Sequence, residues 1–305
     1  MKLLSTCACT ACKAVVLIMI MTMTTLQDSR AQERSIAFEG IENARDMGSL
    51  VMQDGSTVST GRLIRSGNLY KATDSDIRRL KEEYQLSHVI DFRFEQEAGS
   101  APDRTIDGVS YTHLSTLPKS LIAGFSTTRP DTAKIDMSNL AEVMLKFSFS
   151  PSAQAMAQKL YPAIVNDAKS QRYYGRFLDL VLKADGGVLW HCSQGKDRAG
   201  WASAFLLAAL GASREVIVAD FDLSNQSYAS QVEAMSSKVR EMGGGNKELA
   251  FIRAMVGVSR ENFEATLDMI DSKYGSLSDY LENQLGFSKE KQKMLRKKYL
   301  IRKQH

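Results

Sequence analysis

Residues 186–211, GGVLWHCSQGKDRAGWASAFLLAALG, restrict the possible folds of this chain more than any other stretch. A glycine turn precedes VLWH, an apolar run of strand length, and RAGWASAFLLAALG has the composition of a helix that Gly211 would end. A short loop therefore joins a strand to the start of a helix. The N–H groups at a helix start lack intrahelical partners and carry the positive end of the helix dipole, so we expect the loop to bind an anion such as phosphate.

The loop also carries a cysteine and an arginine whose positions suit phosphoryl chemistry. Cys192 opens the loop, Gly195 lets the backbone curl, and Arg198 follows six residues after the cysteine. A cysteine beside a helix start and nearby cations is expected to exist largely as the nucleophilic thiolate. The planar guanidinium of Arg198 can bind two phosphoryl oxygens and stabilise charge in the transition state. The alternative is an inert, buried cysteine in an ordinary strand-to-helix turn.

The first 31 residues have the pattern of an export signal. Two lysines precede the apolar stretch AVVLIMIMTMTTL at residues 14–26, and small residues near Ala31 provide a cleavage site. This stretch is shorter than the ~20 apolar residues that a membrane-spanning helix needs. We therefore expect a signal peptide over residues 1–31, cleaved to leave a secreted or periplasmic protein. The alternative is an uncleaved membrane anchor.

Export would leave a mature chain with one thiol and little net charge. Cys7, Cys9 and Cys12 lie within the expected signal, so Cys192 alone would remain and no internal disulfide could form. The formal charge is +4 for the whole chain. Removing residues 1–31 leaves 36 basic and 34 acidic side chains, a charge of +2 that argues against a nucleic-acid partner.

The loop belongs to a pattern of four blocks that resembles a known enzyme family. HCSQGKDRAG resembles the His-Cys-x5-Arg signature of cysteine-dependent protein tyrosine phosphatases, particularly of their bacterial and fungal branch. NARDMGSL (43–50), GRLIRSGNL (61–69) and VIDFRFEQE (89–97) are similar to further blocks of that branch, in the same order. The resemblance implies an α/β, three-layer cysteine-phosphatase fold over residues 32–305, with a central, mostly parallel sheet flanked by helices.

The resemblance also implies an activity, the hydrolysis of phosphomonoesters through a phosphocysteine intermediate without a cofactor. The implied substrate is a phosphotyrosine-containing protein, for a tyrosine or dual-specificity phosphatase. Lys196 leaves an alternative open, a phosphoinositide or inositol phosphate phosphatase, because a second cation in the loop could bind extra phosphates. Lys196 could equally do no more than stabilise the Cys192 thiolate electrostatically. Ala199 keeps another open, a weakly active phosphate-binding module. Most such phosphatases have Ser or Thr there, so we expect slow hydrolysis of the phosphocysteine.

The general acid is expected to be Asp197. Other tyrosine phosphatases use an aspartate on a separate upstream loop, but the corresponding stretch here, MAQKLYPAIV (156–165), contains no acid. Pro130-Asp131 lies 61 residues before Cys192. In the resembled branch, the aspartate that matches Asp197 protonates the leaving oxygen. The alternative is that Asp197 is a solvated charge that pairs with a neighbouring cation.

The remaining candidate site residues lie in the loop and at the end of the strand LSHVID. They are Ser193, Gln194, Gly195, Lys196, His191, Asp91 and Arg93. We expect His191 to orient the cysteine loop, with a satisfied core histidine as the alternative, and Asp91 either faces the site or caps the next helix. An internal ion-pair network that positions the loop is expected from Arg45, Asp46, Arg62 and Arg65. The four histidines show no spacing typical of a metal site, so no metal is expected.

Two C-terminal segments carry further predictions. Residues 228–246 have helical periodicity and end in three glycines, which indicates either a mobile lid or a packed surface helix. The last block predicts two helices separated at Gly286-Phe287, with Ser288 as an N-cap. Its basic end, residues 289–302, could make weak contact with a membrane surface, although a solvated basic helix is the simpler interpretation.

Overall fold

The strands that carry the predicted site lie next to one another in a five-stranded sheet. The structure is a computed structural model that describes residues 34–118, 121 and 145–302. The described strands are β1 (Arg45–Asp46), β2 (Thr57–Val58), β3 (Leu63–Ser66), β4 (Leu86–Asp91), β5 (Ser110–His113), β6 (Gly187–His191) and β7 (Leu300–Ile301). The sheet has the order β1-β3-β6-β4-β5, in which β1 is antiparallel to its neighbour and the other pairs are parallel. The predicted mostly parallel sheet is confirmed.

Helices follow or precede most strands. They are α1 (Asp74–Glu82), α2 (Glu95–Ser100), α3 (Pro151–Asn166), α4 (Ala168–Lys183), α5 (Asp197–Leu210), α6 (Arg214–Asp222), α7 (Ser224–Ser227), α8 (Ala229–Glu241), α9 (Asn246–Val256), α10 (Arg260–Tyr274), α11 (Leu277–Asn283) and α12 (Lys289–Tyr299). Gly211 ends α5 with a φ of +94°, and the Ser288 side chain accepts a hydrogen bond from the third residue of α12. Both predicted caps are confirmed.

Alternating apolar residues give the sheet two buried faces. In β6, Val188 and Trp190 pack into one hydrophobic cluster, whereas Leu189 between them packs into another. Helix α1 contributes Leu80 to the second cluster, while α4, α5 and the C-terminal helices fill the first. The sheet therefore lies between two helical layers, as a three-layer fold requires.

Strand β6 brings the cysteine loop to the edge where the parallel strands end. All five of its residues are buried, and it lies between β3 and β4. The register pairs His191, its last residue, with Ser66 of β3 and Asp91 of β4. Ligand sites in open parallel sheets form at the carboxyl ends of the strands. The next residue in the chain is Cys192.

The basic C-terminal helix α12 contributes its cations to the ends of other helices. Lys298 Nζ donates to the carbonyl groups of Val181, Leu182 and Ala184 at the end of α4. Arg296 Nε donates to Ala209 O, near the end of α5, at 2.9 Å. Carbonyl groups at a helix C-terminus lack partners and carry the negative end of the dipole, so these contacts stabilise both helices.

Helices α8 and α9 form a hairpin with a small hydrophobic cluster of its own. Val239 of α8 packs with Phe251 and Ile252 of α9 and with residues at the start of α3. Gly244 makes the turn possible, because a Cβ there would lie 2.4 Å from Val239 Cγ1. The segment 228–246 is thus helical up to its glycines, as predicted.

Two sequence features fall outside this description. The expected signal, residues 1–31, and the Pro130-Asp131 pair lie outside the described residues. Among the residues that the structure describes, no helix is both long enough and apolar enough to cross a membrane.

Candidate active site

The loop after β6 turns sharply against the end of β3. Residues 192–196 connect β6 to α5, and Cys192 is only 2% exposed. Gly195 has a φ of +67°, and a Cβ at this position would lie 2.2 Å from Ser66 O. Only glycine accommodates both the left-handed backbone and this close approach.

The first half of the loop is held by side chains that bind its carbonyl oxygens. Asn68 Nδ2 donates to Ser193 O at 2.8 Å. Tyr228 Oη donates to Gln194 O at 2.7 Å, and Asn43 Nδ2 donates to the same oxygen at 3.1 Å. These three donors come from widely separated parts of the sequence and converge on two neighbouring peptide groups.

A single arginine holds the second half of the loop. Arg65 Nε donates to Gly195 O at 2.9 Å and Arg65 Nη2 donates to Lys196 O at 2.8 Å. The carbonyl groups of residues 193–196 are therefore all bound by side chains. Because the N–H of a trans peptide points away from its C=O, the amides of residues 194–197 face the opposite side and can converge on an anion.

Arg65 is itself fixed by a buried ion-pair network. Arg65 Nη1 lies 3.0 Å from Asp220 Oδ2, and Arg45 Nε lies 3.3 Å from Asp220 Oδ1. Burial lowers the pKa of Arg65 to about 9, the charge of Arg45 acts in the same direction, and Asp220 opposes both. Arg45 and Arg65 do form an internal network at the loop, but their shared anion is Asp220 of α6. Asp46 accepts hydrogen bonds from the backbone N–H groups of Gly48 and Gly61.

Arg198 is oriented by the carboxylate of Glu97, which is not among the predicted site residues. Arg198 Nη1 lies 2.5 Å from Glu97 Oε2, and Arg198 Nη2 donates to Glu97 Oε1 at 2.8 Å. Ser193 Oγ donates to Glu97 Oε1 at 2.6 Å. Burial raises the pKa of Glu97, but the charge and hydrogen bonds of Arg198 outweigh it and hold the pKa below its usual value. This bidentate pair holds the guanidinium in one orientation at the loop.

Both carboxylate oxygens of Asp197 have a donor. Tyr161 Oη donates to Asp197 Oδ1 at 2.7 Å, and Lys196 Nζ lies 3.0 Å from Asp197 Oδ2. Burial raises the pKa of Tyr161 well above its ordinary value, and the charge of Asp197 adds to the effect, so Tyr161 remains a neutral donor. Tyr161 lies in MAQKLYPAIV, the stretch that lacks an acid. Asp197 is the first residue of α5 and has a side chain that is 18% exposed.

Sequence comparison agrees with this geometry. Residues 36–301 match the model of a family described as "Tyrosine phosphatase family". The chain belongs to the tyrosine phosphatase family. The matched range contains every element of the sheet and all of the loop contacts described above.

Two curated relatives of this phosphatase carry corresponding names. One, from Cupriavidus necator, is named "Putative tyrosine-protein phosphatase" and is 30% identical over 210 residues, which cover 68% of this chain and 69% of the relative. The other is "Triple specificity protein phosphatase PtpB" of Mycobacterium tuberculosis, 30% identical over 210 residues, which cover 67% of this chain and 72% of PtpB. The predicted resemblance is confirmed, and this chain is a phosphatase.

The predicted substrate contacts of the phosphatase fall into three groups, of which two lie in the loop. Ser193, Gln194 and Gly195 lie in the loop with their carbonyl groups bound from outside. The Lys196 side chain leaves the loop and donates to carbonyl groups at the end of α9, at Met255 and Gly257.

Asp91, Arg93 and His191 form a buried network beside the loop. Arg93 Nη2 lies 2.9 Å from Asp91 Oδ2 and 2.7 Å from Asp103 Oδ2. His191 Nε2 lies 3.1 Å from Asp103 Oδ2. Burial lowers the pKa of His191, but the close contact with Asp103 and the charges of Asp91 and Asp103 outweigh it, so the pKa is raised. These contacts fix the residue that directly precedes Cys192.

The same network contains a set of potential metal ligands. In the described part of the chain, Asp91, Asp103 and His191 offer three ligand atoms within 4.8 Å of one another. The guanidinium of Arg93 already contacts both carboxylates. The positive charge between these carboxylates is therefore supplied by the protein itself.

Residue 199 brings no hydroxyl group to the loop. Ala199 is fully buried, and its carbonyl oxygen accepts hydrogen bonds from Trp190 Nε1 at 3.3 Å and Ser203 Oγ at 2.9 Å. The nearby hydroxyl of Ser193 donates to Glu97 Oε1.

Several residues of the site were not predicted from the sequence, namely Asn43, Asn68, Tyr161, Asp103, Glu97, Asp220 and Tyr228. Glu97 lies within VIDFRFEQE, and its position four residues after Arg93 at the start of a helix gave a weak signal. Asp220 is an acid between the buried residues Val218 and Phe221 of α6, and such an interruption of an apolar face indicates a buried partner. Nothing in the sequence around Tyr161 distinguished it from a core tyrosine among apolar neighbours.

The raised pKa of His191 predicts how stability depends on pH. The folded protein binds the proton more tightly than the unfolded chain, whose histidine has a pKa of about 6.5. The contribution of His191 is complete below that value and is lost as the pH rises through its folded pKa. The free energy of unfolding, measured with urea from about pH 6 to pH 9, should therefore fall, and His191→Gln should reduce this decline.

His88 provides the control for this prediction. Burial lowers the pKa of His88, so its contribution has the opposite sign and is lost as the pH falls. His88→Gln should leave the alkaline decline in place. An unchanged slope in His191→Gln would show that the network does not raise the pKa of His191.

Proposed function

We propose that this phosphatase removes the phosphoryl group from phosphotyrosine in proteins through a phosphocysteine intermediate. The observation that carries the proposal is the loop of Cys192, in which four consecutive carbonyl groups are bound from outside and Arg198 is held at its end. A ring of amides and a guanidinium suits the three equatorial oxygens of a phosphoryl group in transfer.

The first step transfers the phosphoryl group to sulfur. The Cys192 thiolate attacks phosphorus, an S–P bond forms, and the bond between phosphorus and the tyrosine oxygen breaks with its electron pair on oxygen. Protonated Asp197 donates its proton to that oxygen as it leaves. The loop amides and Arg198 stabilise the charge on the equatorial oxygens throughout.

The second step releases inorganic phosphate. Asp197, now a carboxylate, accepts a proton from a water molecule whose oxygen attacks phosphorus, and the S–P bond breaks to restore the Cys192 thiolate. Ala199 offers no hydroxyl to stabilise this thiolate, and Ser193 donates to Glu97. The second step is therefore the slower one.

This reaction predicts a burst with 4-nitrophenyl phosphate. Rapid mixing should release about one equivalent of nitrophenolate per enzyme before a slower steady rate, vanadate should inhibit, and Cys192→Ser should abolish turnover. Ala199→Ser, which adds the missing hydroxyl, should raise the steady rate and diminish the burst. A protein that binds vanadate but releases no nitrophenolate would be a phosphate-binding module. A trace linear from the first turnover would contradict a slow second step.

The position of Lys196 favours phosphotyrosine over phosphoinositides. The ammonium group that would bind extra phosphates donates to Met255 O at 2.8 Å and Gly257 O at 2.7 Å. Two basic residues of α12 likewise donate to carbonyl groups at helix ends, at Ala209 and Ala184.

A comparison of kcat/KM tests this preference. A phosphotyrosine peptide should be hydrolysed at least about tenfold more efficiently than a water-soluble, short-chain phosphatidylinositol phosphate, which corresponds to about 1.4 kcal/mol in the transition state. A larger kcat/KM for the phosphoinositide would overturn the preference while leaving the phosphatase reaction intact.

We also propose that the phosphatase acts outside the cytoplasm. The support is the sequence pattern of residues 1–31, with its lysines, apolar stretch and small residues near Ala31. Expression of the full chain in a bacterial host should give a processed protein in the periplasm or medium whose mass matches a start near residue 32. A full-length protein that stays in the cytoplasm would contradict export.

A further inference from the structure

The ammonium group of Lys196 is buried and has an acceptor for each of its protons. Its side chain is 5% exposed. Nζ donates to Met255 O at 2.8 Å and Gly257 O at 2.7 Å, and lies 3.0 Å from Asp197 Oδ2. A lysine ammonium has three N–H donors and no acceptor. With these three contacts in place, Lys196 has no donor left for a phosphate oxygen.

Two of the three acceptors are carbonyl groups at the end of a helix. Helix α9 ends at Val256, so the carbonyls of Met255 and Gly257 lie where intrahelical partners are lacking and the dipole is negative. Asn225 fixes the segment that follows, because its side chain accepts from Val258 N at 2.8 Å and donates to Val258 O at 3.2 Å. The end of α9 is therefore a fixed, negatively polarised surface for the ammonium group.

The third acceptor is the expected general acid. Lys196 Nζ contacts one oxygen of Asp197, and Tyr161 Oη donates to the other. Two donors on two oxygens define the plane of a carboxyl group as well as its direction. A proton donor must lie within hydrogen-bond reach of the leaving oxygen, so this orientation bears directly on the departure of the leaving group.

The hairpin of α8 and α9 is attached to the catalytic loop at both of its ends. At the start, Tyr228, which precedes α8, donates to Gln194 O at 2.7 Å. At the other end, the carbonyl groups of Met255, in the last turn of α9, and of Gly257, just after it, accept hydrogen bonds from Lys196. The loop, the general acid and the hairpin thus share one lysine.

We propose that Lys196 is a positioning residue, which acts on the reaction through Asp197 and fastens the end of α9 to the loop, and is not a ligand of the substrate phosphate. This inference rests on the proposed function, since it assigns Asp197 the transfer of a proton to the leaving oxygen. It separates two roles of the cations in the loop. Arg198 stabilises the charge of the phosphoryl group, and Lys196 orients the carboxyl group of Asp197.

The test compares two leaving groups in Lys196→Met. Phenolate needs a proton more than nitrophenolate does, so a misplaced acid slows phenyl phosphate more than 4-nitrophenyl phosphate. We expect kcat/KM to fall at least about tenfold further for phenyl phosphate, in the direction that Asp197→Asn also gives, while the inhibition constant of vanadate changes less than about threefold. Lys238→Met is the matched control, because it makes the same substitution on the exposed face of α8. It should change neither the ratio of the two kcat/KM values nor the inhibition constant of vanadate.

Each outcome decides the question. Equal slowing of both substrates together with vanadate binding weakened about tenfold or more would show that Lys196 binds phosphate, and would overturn the proposal. Unchanged kinetics in Lys196→Met would overturn it as well. If the unmodified enzyme hydrolyses neither substrate, the proposed function itself has failed, which is a different result.

If Lys196→Met does not fold, Lys196→Gln takes its place in every measurement, because its amide keeps a donor for the end of α9 but removes the charge beside Asp197. A further variant tests the orientation of Asp197 from its other side. Tyr161→Phe removes the other donor to Asp197 and leaves the ring in place, so it should produce the same selective loss with phenyl phosphate. Hydrogen exchange provides a separate measurement, because the amides in the last turn of α9 should exchange faster in Lys196→Met and not in Tyr161→Phe. Equal exchange in both variants would contradict the role of Lys196 in holding α9.

Discussion

The binding of the loop carbonyls by Arg65 is the interaction on which the catalytic site depends. A peptide group that turns its N–H towards a phosphate must turn its C=O away from it, and that carbonyl needs a partner inside the protein. The planar guanidinium of Arg65 donates hydrogen bonds to the last two carbonyl groups of the loop, at Gly195 and Lys196. Asp220 keeps the buried guanidinium charged and oriented. A buried cation behind the loop thus orients the amides that we propose to bind the phosphoryl group.

This arrangement gives a physical reason for the spacing of the sequence blocks. NARDMGSL contributes Asn43 and Arg45, GRLIRSGNL contributes Arg65 and Asn68, and VIDFRFEQE contributes Glu97. All of these side chains contact the loop or the residues that hold it. The blocks are far apart along the chain, but β1, β3 and β4 are close together in the sheet and bring their side chains to the same edge.

The sequence allowed the local structure of the site to be predicted, but fewer of its partners. The strand, loop and helix around Cys192 follow from short-range periodicity and glycine positions, and the structure has them where they were expected. Glu97, Tyr161 and Asp220 come from other elements, and a periodic pattern does not specify which residues of two elements meet. The direction of the Lys196 side chain could not be predicted either, because its acceptors lie at the end of α9, some sixty residues later in the chain.

Helix α12 has a consequence for the stability of the loop. Strand β7 pairs with β2, and α12 donates hydrogen bonds to carbonyl groups at the ends of α4 and α5. Helix α5 begins at Asp197, directly after the loop. Local unfolding of residues 289–301 would therefore remove support from the helix that follows Cys192, so the order of the loop is coupled to a segment far from it in the sequence.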